Sequence, residues 1–153
     1  MSTLVLGLGN TLLRDDGIAV RVIEELRKQS LDSEEMEFRT SALSGLALVD
    51  EILGFNKVVI VDAVQSETHN IGEVFPIQEA ELSRHARGAS PHFVGLATLL
   101  HYCRSYGLAA PEKMHILGIE VQDPFSFDEK LSNEMEAVLP DITEKARKWI
   151  QQF

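Results

Sequence analysis

Asp16, Asp62 and His92 are the side chains of this sequence best suited to chemistry. Two carboxylates and an imidazole make a facial oxygen, oxygen, nitrogen set that suits a borderline divalent ion such as nickel, zinc or iron. The same groups can instead polarise a water molecule for hydrolysis. Asp62 is the most informative, because it interrupts the apolar run Val58-Val59-Ile60-Val61 before Ala63-Val64. A carboxylate there costs several kcal/mol unless it is paired, hydrogen-bonded or metal-bound; capping a neighbouring helix is the competing use. His92 follows Ser90-Pro91 in what reads as a first helical turn, where the positive end of the dipole favours the neutral, metal-ligating imidazole. Asp16 shares its turn with Asn10 and Asp15, and acids in a first turn also simply complement the dipole. His69 and His85 lie in polar loops, His101 late in a helix and His115 at the start of a strand, so solvation or packing accounts for each. Cys103 reads as a small core residue rather than a nucleophile.

The elements that must position these groups follow from periodicity. Thr3 to Leu8 reads as a buried strand entering the turn Gly7-Leu8-Gly9-Asn10. From Asp16 onward Ala19, Val22, Ile23 and Leu26 fall at helical spacing, with Arg21, Glu24, Glu25 and Lys28 on the other face. Met36 to Thr40 is a weak strand, and Leu46, Val49 and Leu53 mark a short helix that Gly54 can stop. Lys57 to Val64 is the clearest strand, apolar on both faces as in the middle of a parallel sheet. Gly72 to Gln78 is a strand that Pro76 demotes to an edge. Ser90-Pro91-His92 opens a third helix, apolar nearly all round from Val94 to Leu100 and therefore expected to be buried. Met114 to Val121 is the last strand. Ser126-Phe127-Asp128-Glu129 has the capping-box spacing and is expected to start a long C-terminal helix, which Pro140 should kink or divide. Strands alternating with helices imply an α/β fold: a three-layer α/β/α sandwich around a mainly parallel, twisted five-stranded sheet with one edge strand. Ligands of such sheets sit beyond the carboxyl ends of the strands, where Asp16, Asp62 and His92 are all expected.

Size and charge bound what that edge can serve. The 153 residues fit one domain of the usual ~100 to 200 residues, taken here as 1–153. The apolar share of 44% and charged share of 25% are those of an ordinary globular chain, which at this length buries enough surface to fold without staples. A single cysteine excludes an internal disulfide and a Cys-rich zinc module. With 14 Lys and Arg against 24 Asp and Glu, the net charge of −10 opposes a phosphate backbone, so no nucleic-acid partner is expected. No stretch approaches the ~20 apolar residues of a membrane span, and the first residues lack the basic region and cleavage site of a secretory signal. A cytoplasmic monomer without a membrane partner is the expectation.

Gly7-Leu8-Gly9-Asn10-Thr11-Leu12 begins like a dinucleotide fingerprint, but Leu12 stands at the third glycine position and no acid ends a second strand near position 40. It also resembles the opening of bacterial peptidyl-tRNA hydrolases, yet the Pro-Gly and Arg-His-Asn that continue that family are missing. A longer resemblance runs from Leu4 to about Ile119. Gly7-Leu8-Gly9-Asn10-Thr11-Leu12-Leu13-Arg14-Asp15-Asp16-Gly17, then Val61-Asp62-Ala63, then Ser90-Pro91-His92 resembles the maturation endopeptidases of [NiFe] hydrogenases in order, spacing and strand context. The resemblance implies an endopeptidase that cuts the C-terminal extension from a hydrogenase large-subunit precursor once nickel is inserted. It implies that Asp16, Asp62 and His92 sense nickel carried by the substrate, and can activate the attacking water, with no permanently bound cofactor. A non-catalytic metal-sensing or chaperone module on the same fold is the alternative. The chain departs from the family at Thr40-Ser41-Ala42, where many members have Asp-Gly-Gly, and at Ala19, where glycine is frequent.

Overall fold

The computed structural model describes residues 2–29, 33–78 and 96–153. Its strand-forming runs make one five-stranded sheet, of β1 (Thr3–Leu8), β2 (Met36–Ser41), β3 (Lys57–Val64), β4 (Val74–Ile77) and β5 (Lys113–Glu120), in the order β2-β1-β3-β5-β4. β1, β2, β3 and β5 are parallel, and β4 alone runs antiparallel, on the outer side of β5. Pro76 lies opposite Leu117 in that edge strand, where a missing N–H costs the sheet no second ladder. The α/β sandwich expected from the sequence is therefore the fold.

Alternation sorts the side chains into two cores. Val5, Val59, Val61, Ala63, Leu117 and Ile119 point to one face, where they pack with α1 (Ile18–Lys28) and α4 (Asn133–Gln152). Leu4, Leu6, Leu8, Val58, Ile60 and Ile116 point to the other, against α2 (Gly45–Ile52) and α3 (Leu96–Ser105). Because both faces are covered, β1 and β3 are apolar nearly throughout.

Three local expectations are corrected. The C-terminal helix does not start at Ser126: its N-cap is Ser132, whose Oγ accepts from the Met135 N–H at 3.4 Å. The amides of Phe125 and Ser126 are instead taken by Oδ1 of Asp123, each at 3.0 Å, and Asp128 pairs with Leu13. Tertiary pairing thus captured the segment whose local spacing suits a cap. Pro140 does not divide α4. Both Pro140 and Glu136, whose carbonyl loses its helical partner, are exposed, so water can satisfy that oxygen, while Met135, Leu139, Ile142, Ala146 and Ile150 hold the helix to the sheet. Finally, α3 is buried on one side only, through Leu96, Leu100 and Cys103, and exposes His101 and Tyr102. The expected start of that helix at Ser90-Pro91 lies outside the described residues.

Candidate active site

β1 and β3 are neighbours whose connections to β2 cover opposite faces: α1, which follows β1, packs on one side, and α2, which leads into β3, packs on the other. Connections that diverge in this way open a crevice at the carboxyl edge, the usual ligand position of an open α/β sheet. Asp62 lies there. In the sheet register it stands between Leu8 of β1 and Gly118 of β5, and its exposure is 0%. By alternation it shares the face of Val58 and Ile60, the face that α3 covers. At Gly118 a Cβ would come within 2.9 Å of Ile77 Cδ1 and 3.0 Å of the Phe75 ring, so glycine leaves room for these β4 side chains to lie over β5 next to Asp62.

Asp16 reaches the same edge on a 3-10 turn (Arg14–Gly17) that packs against β3. It is half-buried, and its Oδ2 accepts from the Asn10 N–H at 2.7 Å. Asn10 in turn closes its own loop, with Oδ1 accepting from the Leu12 N–H at 3.0 Å. Gly9 is required by this approach: any Cβ at that position would overlap the carbonyl oxygen of Asp16. The Gly-Leu-Gly-Asn motif is thereby explained as a seat for the Asp16 turn rather than as a phosphate cradle. Ser41, at the end of β2, accepts the Gly9 N–H at 3.0 Å, so the Thr40-Ser41-Ala42 departure adjoins the same turn.

Asp15, adjacent in sequence, has a different task. Its exposure is 0%, and its two oxygens accept from Ser132 N at 2.7 Å, Ser132 Oγ at 2.8 Å and Asp123 N at 2.8 Å. Three donors offset the burial of the charge, and they fasten the β5 to α4 connection onto the β1 turn. Arg14 enters this turn with φ of 40°, in the left-handed region, its N–H bonded to the Asp128 carbonyl at 2.9 Å.

Sequence reasoning passed over Glu120, a carboxylate 1% exposed at the end of β5. It accepts from Ser66 N at 2.8 Å and from Ser66 Oγ, tying the loop after β3 to β5. The criterion that singled out Asp62, an acid closing an apolar run, applies equally to Ile116-Leu117-Gly118-Ile119-Glu120 and could have found it. The other candidates fall elsewhere. His115 sits toward the amino edge, where burial first, then Lys57 and Lys113, hold its pKa below the ordinary 6.5. His69 is exposed and stacks on Phe75 at 3.7 Å. Cys103 is a core residue of the α2 and α3 face. His92 and His85 lie outside the described residues. Among the described residues no three His, Cys, Asp or Glu side chains form a set that could hold a metal ion, and no helix is long and apolar enough to cross a membrane.

Comparison with known proteins gives this edge its context. The hydrogenase maturation protease family profile HycI matches residues 20–149, a span that includes positions 62 and 92 and begins just after the Asp16 turn. The hydrogenase 2 maturation protease of Escherichia coli K12 is 30% identical over 120 residues, 78% of this chain and 73% of that protein. The solved E. coli hydrogenase maturating endopeptidase HybD superposes with a TM-score of 0.78 at 25% identity, over 99% of this chain and 93% of that one. The [NiFe] hydrogenase maturation protease HybD of Thermococcus kodakarensis gives a TM-score of 0.70 at 25% identity, over 97% and 99% of the two chains. A sheet with acids gathered at its switch point, a profile spanning most of the chain and whole-length structural relatives agree: the chain belongs to the hydrogenase maturation protease family and is a hydrolase of the endopeptidase kind.

Proposed function

We propose that this endopeptidase removes the C-terminal extension of a [NiFe]-hydrogenase large-subunit precursor after nickel insertion, acting as a cytoplasmic monomer. Asp16, Asp62 and His92 engage the nickel centre that the precursor carries, and that engagement places the scissile peptide for attack by water. The observation that carries this reading is Asp62, a carboxylate with 0% exposure at the switch point of the sheet, beside the turn that presents Asp16. In surroundings of low dielectric a carboxylate attracts a cation far more strongly than it does in water, and carboxylate with imidazole is a donor set that nickel accepts. In hydrolysis the attacking water gives its proton to a carboxylate, its oxygen bonds to the scissile carbonyl carbon, and the proton passes to the departing amine.

Two acids and one histidine from separate segments, with no cysteine, bind an ion weakly until the substrate supplies further ligands. The purified protein is therefore expected to hold no stoichiometric metal, and to cleave nickel-loaded precursor but not its nickel-free form. Metal analysis of the isolated protein, followed by mass measurement of the products from both precursors, tests this. Tightly held zinc with equal cleavage of both forms would identify an autonomous metalloprotease. Nickel-dependent binding without cleavage would identify a non-catalytic metal-sensing module.

A further inference from the structure

Among the described residues, Phe125 and Phe127, after β5, are 71% and 89% exposed, and Leu12, in the turn after β1, is 52% exposed. Backbone pairing makes them neighbours: the Asp128 N–H donates to the Leu12 carbonyl at 3.0 Å, and Leu13 bridges Asp128. Their loop is braced. Oδ1 of Asp123 accepts from the amides of Phe125 and Ser126, Oδ1 of Asp128 accepts from Lys130 N at 2.9 Å, and buried Asp15 accepts from Asp123 N. Exposed apolar side chains on neighbouring, hydrogen-bonded loops with polar residues between them suit a docking site, because a loop held in this way has less freedom to lose when a partner binds.

We infer that Leu12, Phe125 and Phe127 dock an apolar, net-basic stretch of the precursor close to the peptide bond that is cut; this rests on the function proposed above. Asp16, Asp123, Asp128 and Glu129 outnumber Arg14 and Lys130 around the patch, so a partner carrying Lys or Arg among apolar residues is complementary to it. A second copy of this chain is disfavoured, since it brings the same acids and a net charge of −10. Leu12 precedes Asp16 in the same turn, and the Asp123 and Asp128 amides fasten the Phe125 and Phe127 loop to that turn through Asp15 and Leu12, so a segment seated on the patch is delivered to the crevice.

The test is the double variant Phe125→Ser/Phe127→Ser, assayed with nickel-loaded precursor. KM is expected to rise roughly tenfold with kcat and the melting temperature unchanged, and added salt should raise KM for the parent protein. An unchanged KM, or a fall in kcat alone, overturns the inference. Should the double variant fail to fold, Phe127→Ser and Leu12→Ser, each on a strongly exposed side chain, are read by the same criteria. Sedimentation of the parent as a dimer that the double variant loses would assign the patch to a second copy and also overturn it. If the parent cleaves no nickel-loaded precursor, the proposed function fails instead. The docking inference is then decided by direct binding of the same precursor to parent and double variant, with equal affinities overturning it.

Discussion

The two ends of the sheet are formed by the same strands but handle charge in opposite ways. At the amino end Lys57 and Lys113 face one another across β3 and β5. Lys57 Nζ donates to the Phe153 backbone oxygen at 2.6 Å, and the Phe153 ring stacks on His115 at 4.0 Å. The lysines at this end are half-buried or exposed, and Lys57 is met by Phe153, far away in sequence. At the carboxyl end Asp15, Asp62 and Glu120 are buried, with exposures of 0%, 0% and 1%, and the aromatic residues beside them face solvent. A half-exposed ammonium keeps most of its hydration and stakes little on its partner, whereas a buried carboxylate depends on whatever meets it. Asp15 and Glu120 meet donors from the loops they fasten. Asp62 and Asp16 border the crevice.

Changes at the carboxyl end should break this contrast most visibly. Asp62→Asn is expected to lower cleavage of nickel-loaded precursor by at least ~100-fold while the protein still folds, since the amide keeps the shape and one acceptor oxygen. An unfolded variant would make Asp62 structural, and normal cleavage would remove it from the site. Asp15→Ala is next. It leaves the Ser132 and Asp123 amides without their acceptor and should cost about 2 to 4 kcal/mol in urea unfolding, whereas Asp16→Asn, still able to accept from Asn10, should change stability by less than ~0.5 kcal/mol and instead impair cleavage. Equal destabilisation by the two would erase the division of labour between these adjacent acids. Glu120→Gln keeps one acceptor for Ser66 and should cost only about 1 kcal/mol, read by the same unfolding experiment.

The smallest effect belongs to the amino end. The folded-state pKa of His115 lies below its ordinary 6.5, so the unfolded chain binds the proton more readily. Its contribution to stability is at its most favourable above pH ~6.5 and is lost as pH falls from there through the depressed folded value. His115→Gln should therefore reduce the loss of stability between pH 7.5 and 5.5, measured as the difference in urea midpoint between variant and parent. Identical pH dependence in the two would show that His115 carries none of it.

Much of this was open to reading in one dimension. The apolar runs of β1 and β3 require cover on both faces, Pro76 marks its strand as an edge, and helical spacing from Ala19 to Leu26 gives α1 its inner face. Those properties depend on residues close in sequence, so local periodicity carries them. Asp62 was legible for the same reason, as a charge set among apolar neighbours. What periodicity does not contain is which distant backbone groups will arrive. Asp15 and Asp16 are the same residue type in the same turn; only Ser132 and Asp123, more than a hundred residues away, make the first a fastening and leave the second against β3. The same pairing took Ser126 out of its apparent capping box, because the amides of Ser126 and Asp128 were already held by Asp123 Oδ1 and the Leu12 carbonyl. Hydrophobic pattern is an additive, local signal, and it chose the layers. The disposition of buried hydrogen bonds is a contest between near and far partners, and only the assembled fold decides it.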